Sequence, residues 1–305
     1  MFEVVARDRL SDSEVRDVLA MVSRVTQWDG LAPLSEHVLL HLRHGGDEHD
    51  VHLLALDAVG GIVGYGHLDG TDLVNGPSAE LAVDPPHRKQ GIAAALVTSM
   101  LDRSADGRLR LWAHGEQAPA RALAASLGFH HARTLLQMRR SLRLPLPEAP
   151  LPEGVHLRTF RPGIDDAEWL RVNARCFAGH PEQGHWTERD LAQRMSEPWF
   201  DPAGFLIAEK HGRMVGFHWT KVHGRSGHLH GHEEIGEVYV ICVDPSLQGH
   251  GLGRALTVAG LRHLRDKGLS VAMLYVDAGS PAPIALYSGL GFTEWDTDVE
   301  FHRTR

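Results

Sequence analysis

Cysteine is scarce in this chain, with only Cys176 and Cys242 among 305 residues. Two thiols in unrelated contexts exclude a disulfide framework and point to unpaired residues in a reducing compartment. Long apolar runs are missing as well, since no stretch approaches the roughly 20 residues a membrane helix needs. The opening MFEVVARDRL has neither the apolar core of a signal peptide nor an Arg/Ser-rich transit composition. A cytoplasmic protein with no membrane partner is expected. Net positive charge is the third deficit: a formal balance of −8 gives nucleic acid no general attraction and suits a small, even cationic, substrate better. No pattern encodes an oligomer, and a monomer is expected.

What is present fits two globular domains, with 43% hydrophobic and 23% charged residues over a length that lets each domain bury its own core. The halves are degenerate copies. AELAVDPPHRKQGIAAAL at 79–96 aligns with YVICVDPSLQGHGLGRAL at 239–256, placing Asp84, Pro85, Gly91 and Leu96 on Asp244, Pro245, Gly251 and Leu256 at an offset of 160. LGF at Leu127 to Phe129 recurs at Leu290 to Phe292, offset by 163. Two marks in one order at nearly one spacing indicate duplication. Prolines cluster in SLRLPLPEAPLPEG, which sets a first domain at 1–142, a joint at 143–153 and a second domain at 154–305.

Each repeated turn leaves an apolar strand at Asp-Pro and enters an Ala/Leu-rich helix through Arg88, Lys89, Gln90, Gly91, Ile92, Ala93 and Ala94, or through Gln248, Gly249, His250, Gly251, Leu252, Gly253 and Arg254. Small residues there let backbone N–H groups approach an oxyanion, and the helix N-terminus adds partial positive charge. The pattern (Q/R)-x-x-G-x-(G/A) between strand and helix resembles the acetyl-CoA pyrophosphate loop of the GCN5-related N-acetyltransferases (GNAT). A Rossmann fingerprint fits less well, because no acidic ribose residue follows at the required distance. The resemblance implies an α/β fold with a mixed sheet, repeated in tandem. Strand, turn and helix patterns at FEVVARDRLSDSEVRDVLAMVSRV and VHLRTFRPGIDDAEWLRVNARCFAG, and a hairpin about His211-Gly212, agree with it.

Acetyl transfer to an amine needs a base, a donor to the carbonyl oxygen and a proton for the departing thiolate. In the second half Glu237 opens the strand GEVYVICVD, and strict alternation puts it on one face with Tyr239, Ile241 and Val243, with Cys242 facing away as a small core residue. Glu237 is the candidate base, acting through water. The backbone of Ile241, Cys242 and Val243 is the candidate cradle for thioester and pantetheine, with Leu81, Ala82 and Val83 the matching segment in the first half. The GNAT resemblance implies an acid on the helix before LGF, and Tyr287 in PIALYSGLGF is the candidate. At offset 160 Glu237 faces Pro77, and at offset 163 Tyr287 faces Ala124. The second domain is therefore expected to catalyse and the first to bind acetyl-CoA without turning it over.

End to end, through HPEQGHWT, WFDPAGF, TKVH, GEVYVICVDPSLQGHGLGRAL and LYVD, the chain resembles the mycothiol synthase family. That resemblance implies transfer of acetyl from acetyl-CoA to the cysteinyl amine of a cysteinyl-glucosaminyl-inositol precursor, a sugar-inositol thiol. It also implies an acceptor held by Glu36, Glu182, Lys221, Glu237 and Tyr275. The turn after LYVD carries Ser280 where many members have asparagine, at the adenine side of the coenzyme. Two other readings stay open: an acetyltransferase for another small amine or a peptide N-terminus, and an acyl-CoA sensor without catalysis. Histidine is abundant, 22 in all. HLHGHE at His228 to Glu233 reads as a polar hairpin tip in preference to a metal site, and His37 with His41, lacking a third ligand, reads as surface. No metal is expected.

Overall fold

The computed structural model describes residues 1–305 apart from 73, 105, 116, 180–182, 225–233 and 305. The chain forms two compact units, one of residues 1–135 with 296–305 and the other of residues 136–295.

The first unit contains β1 (Phe2–Arg7), α1 (Asp12–Asp29), α2 (Glu36–His44), β2 (Asp50–Asp57), β3 (Ile62–Asp69), β4 (Ser78–Val83), α3 (Ile92–Leu101), β5 (Leu109–Ala113), α4 (Ala118–Ser126) and the start of β6 (His130–Ser141). The second continues from β6 into β7 (Val155–Thr159), α5 (Asp166–Cys176), α6 (Glu188–Ser196), β8 (Phe205–Lys210), β9 (Arg213–His223), β10 (Ile235–Val243), α7 (Leu252–Asp266), β11 (Val271–Asp277) and α8 (Pro281–Ser288). The last strand, β12 (Thr293–Arg303), pairs antiparallel with β5, from Val299↔Ala113 to Arg303↔Leu109.

Strand order is β1-β2-β3-β4-β5-β12 within the first unit and β7-β8-β9-β10-β11-β6 within the second. The two are the same mixed topology, except that each closes on a strand whose preceding helix belongs to the other unit. Residues 143–153 accordingly lie inside the second unit, whereas the sequence sets them between two contiguous domains.

Local signals explain the elements. Ser11 caps α1 in a capping box with Glu14, and Val18, Met21, Val22 and Val25 form its buried stripe. Helices cover both faces of each sheet. In the first unit α3 sits over a core including Leu53, Leu96, Met100, Val299 and Phe301, and α1 and α2 cover Leu54, Tyr65 and Ala82. In the second, α7 and α8 pack on Val238, Leu274 and Phe292. The α5 side buries an aromatic cluster of Trp169, Phe205, Phe217 and Trp219. His211 and Gly212, both at positive φ, make the expected hairpin turn between β8 and β9.

Two sequence expectations are corrected by one residue. β10 pairs β9 at Glu237↔Lys221 and Val238↔Thr220, then jumps to Val240↔Trp219, so Tyr239 is a β-bulge. The extra residue reverses the alternation beyond it. Val238, Ile241 and Val243 pack on the α7 side, while Tyr239, Val240 and Cys242 pack on the α5 side with Trp219. Glu237 thus shares its face with Cys242 and not with Ile241 or Val243. Cys242 lies against the end of α5 and is joined to Cys176 in a disulfide, Cα–Cα 6.2 Å, contrary to the expected unpaired thiols. Cysteine usage therefore carries no argument about compartment. No described helix is long and apolar enough to cross a membrane.

Candidate active site

The site grows from a ladder that stops early. β10 and β11 pair in parallel only at Ile235↔Val271, Gly236↔Ala272 and Glu237↔Met273, although β10 runs to Val243 and β11 to Asp277. Beyond Glu237 the strands splay. β4 and β5 do the same after Ser78↔Arg110 and Ala79↔Leu111.

Glu237 stands at the start of the splay, buried at 7% exposure. Its Oε2 lies 2.7 Å from His223 Nε2, and Lys221 is its direct partner across β9. Burial pushes the carboxyl pKa up, but the His223 hydrogen bond and charge and the Lys221 charge outweigh it and leave the pKa below the ordinary value. A charged, hydrogen-bonded carboxylate results.

Lys221 projects its ammonium over two rings, 4.6 Å from the Trp199 centroid and 5.0 Å from that of Tyr239. Tyr239, on the same face, also accepts a hydrogen bond from Arg194 Nε at 3.0 Å, and that guanidinium lies 3.8 Å from the Trp186 ring. Aromatic faces and cations thus wall one side of Glu237. On β11, Tyr275 is 40% exposed and its hydroxyl accepts from Gln137 Nε2 at 2.8 Å. Tyr287 is buried on α8 against Phe292, and burial raises its phenol to about 12, so the proton stays on oxygen at neutral pH.

The turn into α7 has the geometry its glycines imply. Gly249 and Gly251 take φ of 80° and 84°, and Gly251 caps α7 with no side-chain bond to the first-turn amides. Gln248 Nε2 reaches back to Val243 O at 3.4 Å. A Cβ at Gly253 would meet only ordinary contacts, so Ala93 at the matching position is sterically tolerated. Ser280 caps α8 through its backbone, its O accepting from Ile284 N, with no side-chain cap bond.

Two matches lie within the chain: residues 167–292 fit the family model described as acetyltransferase (GNAT) family, and residues 48–131 one described as acetyltransferase (GNAT) domain. A mycothiol acetyltransferase of Acidothermus cellulolyticus is 54% identical over 304 residues, covering 97% of this chain and 93% of that protein. One from Streptomyces coelicolor is 51% identical over 293 residues, covering 96% of this chain and 92% of its own. The chain belongs to the mycothiol acetyltransferase family. Like other members it is an acyltransferase made of two tandem GNAT domains. The fold is shared more widely. A tandem GNAT protein from the clavulanic acid biosynthesis pathway superposes with a TM-score of 0.71 at 19% identity, covering 99% of this chain and 98% of that one.

Within this mycothiol acetyltransferase family member the first GNAT domain is built differently at the same positions. The α4 and α8 turns are equivalent, since Phe129 N bonds Ala124 O as Phe292 N bonds Tyr287 O. Val83↔Gly64 matches Val243↔Gly216, but the bulge makes Ser78, opposite Asp69, the counterpart of Glu237, opposite Lys221. Pro77, reached by a constant offset, is one residue off. Ser78 and Ala124 supply neither carboxylate nor phenol.

Among the coenzyme residues expected in the first domain, Arg88 is already engaged, with Nη1 and Nη2 at 2.8 and 2.6 Å from Asp29 and Nε at 3.1 Å from Val83 O. It braces the loop as Gln248 does. Lys89 takes φ 61°, the left-handed conformation that Gly249 adopts in the second loop. Leu81, Ala82 and Val83 end β4, and Ile92, Ala93 and Ala94 open α3 behind Gly91, whose φ is 84°.

The structure therefore brings Glu237 and Lys221 together, puts Tyr275 on the neighbouring strand and sets Glu36 in the first turn of α2, in the other unit. Glu182 and the His228 to Glu233 segment lie outside the described residues. Sequence reasoning missed His223, although Lys221 and His223 stand two apart in TKVH and so face one way. Gln137 left no local signal.

Proposed function

We propose that the second GNAT domain transfers acetyl from acetyl-CoA to the cysteinyl amine of the cysteinyl-glucosaminyl-inositol precursor, giving mycothiol, with the protein acting as a monomer. The observation that carries this reading is Glu237, ionised between His223 and Lys221 where β10 and β11 part, with Ser78 at the equivalent place in the first domain.

The amine loses its proton through water to Glu237. Its lone pair then adds to the thioester carbonyl, whose oxygen is met by backbone N–H in the Ile241 to Val243 segment. The carbon–sulfur bond breaks as the amide forms: the leaving thiolate takes the Tyr287 proton, the second proton shed by the nitrogen passes through water to the phenolate, and the proton on Glu237 goes to solvent. The loop from Gln248 to Arg254 holds the coenzyme pyrophosphate at the α7 N-terminus, and Ser280 lies toward the adenine. A polyhydroxylated acceptor is gripped by Lys221, Tyr275 and Glu182. In the first domain the loop of residues 88–94 binds acetyl-CoA without catalysis.

Incubation of the full chain with acetyl-CoA and the cysteinyl pseudodisaccharide, followed by mass detection of the N-acetyl product, tests the assignment. Turnover of the pseudodisaccharide well above that of aminoglycosides or a peptide N-terminus is expected. Robust turnover of one of those amines with none of the pseudodisaccharide overturns the acceptor, and binding of acetyl-CoA with no turnover of any amine overturns catalysis.

A further inference from the structure

The first unit buries a group of ionisable side chains that acetyl transfer does not use. His41 on α2, Asp50 at the start of β2 and His67 on β3 are 4%, 3% and 1% exposed. Each offers one ligand atom, and the three atoms lie within 4.8 Å of one another. His41 thereby departs from the surface position expected for it, and Asp50 and His67 are the partners the sequence did not reveal.

Three of the polar atoms here find no hydrogen-bond partner despite full burial: His41 Nδ1, Asp50 Oδ1 and His67 Nε2. His41 Nδ1 makes an ion-pair contact of 2.5 Å with Asp50 Oδ2, and His67 Nε2 is 3.9 Å from Asp50 Oδ1. Leaving such atoms unpaired in an apolar interior is unfavourable. An ion pair between His41 and Asp50 alone does nothing for His67. A cation among the three satisfies all of them.

We propose that His41, Asp50 and His67 bind one divalent transition-metal cation, zinc by donor set, through two imidazole nitrogens and a carboxylate oxygen. Nitrogen and oxygen ligands about 2.0–2.2 Å from a tetrahedral zinc stand about 3.3 Å apart, and the ligand atoms here lie within 4.8 Å of one another, so the side chains close or open around the ion as it enters. Three protein donors leave a fourth position for water. The surroundings suit the role. Tyr65 OH lies 3.5 Å from His67 Nδ1 and 2.8 Å from His52 Nδ1, which turns His67 Nε2 toward the cluster. Asp50 Oδ2 accepts the Asp47 backbone N–H at 2.7 Å, orienting the carboxylate. The cation would pin α2 to β2 and β3, fixing the helix that Glu36 begins.

The test uses the full-length, untagged protein, dialysed after exposure to zinc or cobalt(II). One equivalent of zinc per chain by mass spectrometry and the intense visible absorption of tetrahedral cobalt are expected, and both are lost in His67→Ala and in Asp50→Asn, while substitution of the exposed histidine on β7, His156→Gln, keeps them. Substoichiometric zinc in the wild-type chain overturns the proposal. So does an undiminished equivalent in both ligand variants, which places the ion elsewhere, the histidines at 228–232 included. Should His67→Ala fail to fold, the wild-type cobalt spectrum and the His67→Gln variant decide the matter alone.

Discussion

Glu237 is held ionised by its hydrogen bond to His223 and by the charge of Lys221, and that sets its behaviour on removal. Glu237→Gln keeps the shape but cannot take a proton, and turnover is expected to fall by about 10²–10⁴-fold with acetyl-CoA affinity nearly unchanged. Equal losses in both would assign the residue to binding. Because the Glu237 pKa is depressed chiefly by His223 against the opposing effect of burial, His223→Ala should raise it. The acid limb of the kcat/KM profile then moves to higher pH; an unmoved limb contradicts the pairing. Tyr287→Phe should lower kcat with little change in KM, since the phenol serves the departing sulfur alone.

A second residue-scale case lies in the first unit, where His114 sits 3.2 Å from Glu80 and 3.0 Å from Asp298. Burial opposes its charge, but the two carboxylates win and raise its pKa from 6.5 to about 10, while that of Glu80, likewise against burial, falls from 4.5 to about 2. A proton held this firmly is a structural charge, not a shuttle near neutrality. The raised His114 pKa contributes stability that is complete below pH 6.5 and lost as pH rises toward 10; the depressed Glu80 pKa contributes above pH 4.5 and is lost as pH falls toward 2. His114→Ala, which strands two buried carboxylates, should cost about 3–5 kcal/mol in denaturant unfolding and flatten the loss of stability above pH 6.5. A change near zero would show that the triad is solvated.

At the scale of elements, the two phosphate loops differ by a testable strain. Lys89 adopts the conformation of Gly249, a left-handed backbone that costs a residue with Cβ about 1 kcal/mol. Lys89→Gly should therefore stabilise the first unit by up to about 1 kcal/mol, read from its denaturant midpoint, and destabilisation would contradict the loop geometry. These loops, the α5 entry at Asp165 and the hairpin at His211-Gly212 were legible because their signals are short and local: glycine, proline and apolar period. The bulge was not. A single added residue leaves no compositional trace, yet it moves Ile241 and Val243 off the Glu237 face, turns Cys242 toward Cys176 and shifts the counterpart of Glu237 from Pro77 to Ser78. Convergence of His41, Asp50 and His67 was hidden for a related reason, because three elements must fold before their spacing exists.

For the whole molecule, duplication gave two GNAT sheets of one topology and unequal chemistry. Which strand closes each sheet was illegible, since pairing of β12 with β5 joins residues far apart in sequence. Residues 296–305 belong to the first unit and supply Val299 and Phe301 to its core, Asp298 to His114 and Glu300 to Arg110. Truncation after residue 295 should thus unfold or loosen the first unit, seen as lost amide protection in β5, while β9 and β10 stay protected. Protection unchanged in β5 would contradict the exchange.

The central claim, that the second domain alone performs proton transfer during acyl exchange, is met most directly by steady-state acetylation of the cysteinyl pseudodisaccharide by the full chain and its Glu237→Gln variant. The account predicts product from the first and almost none from the second at saturating acetyl-CoA. Equal rates from the two proteins would contradict it.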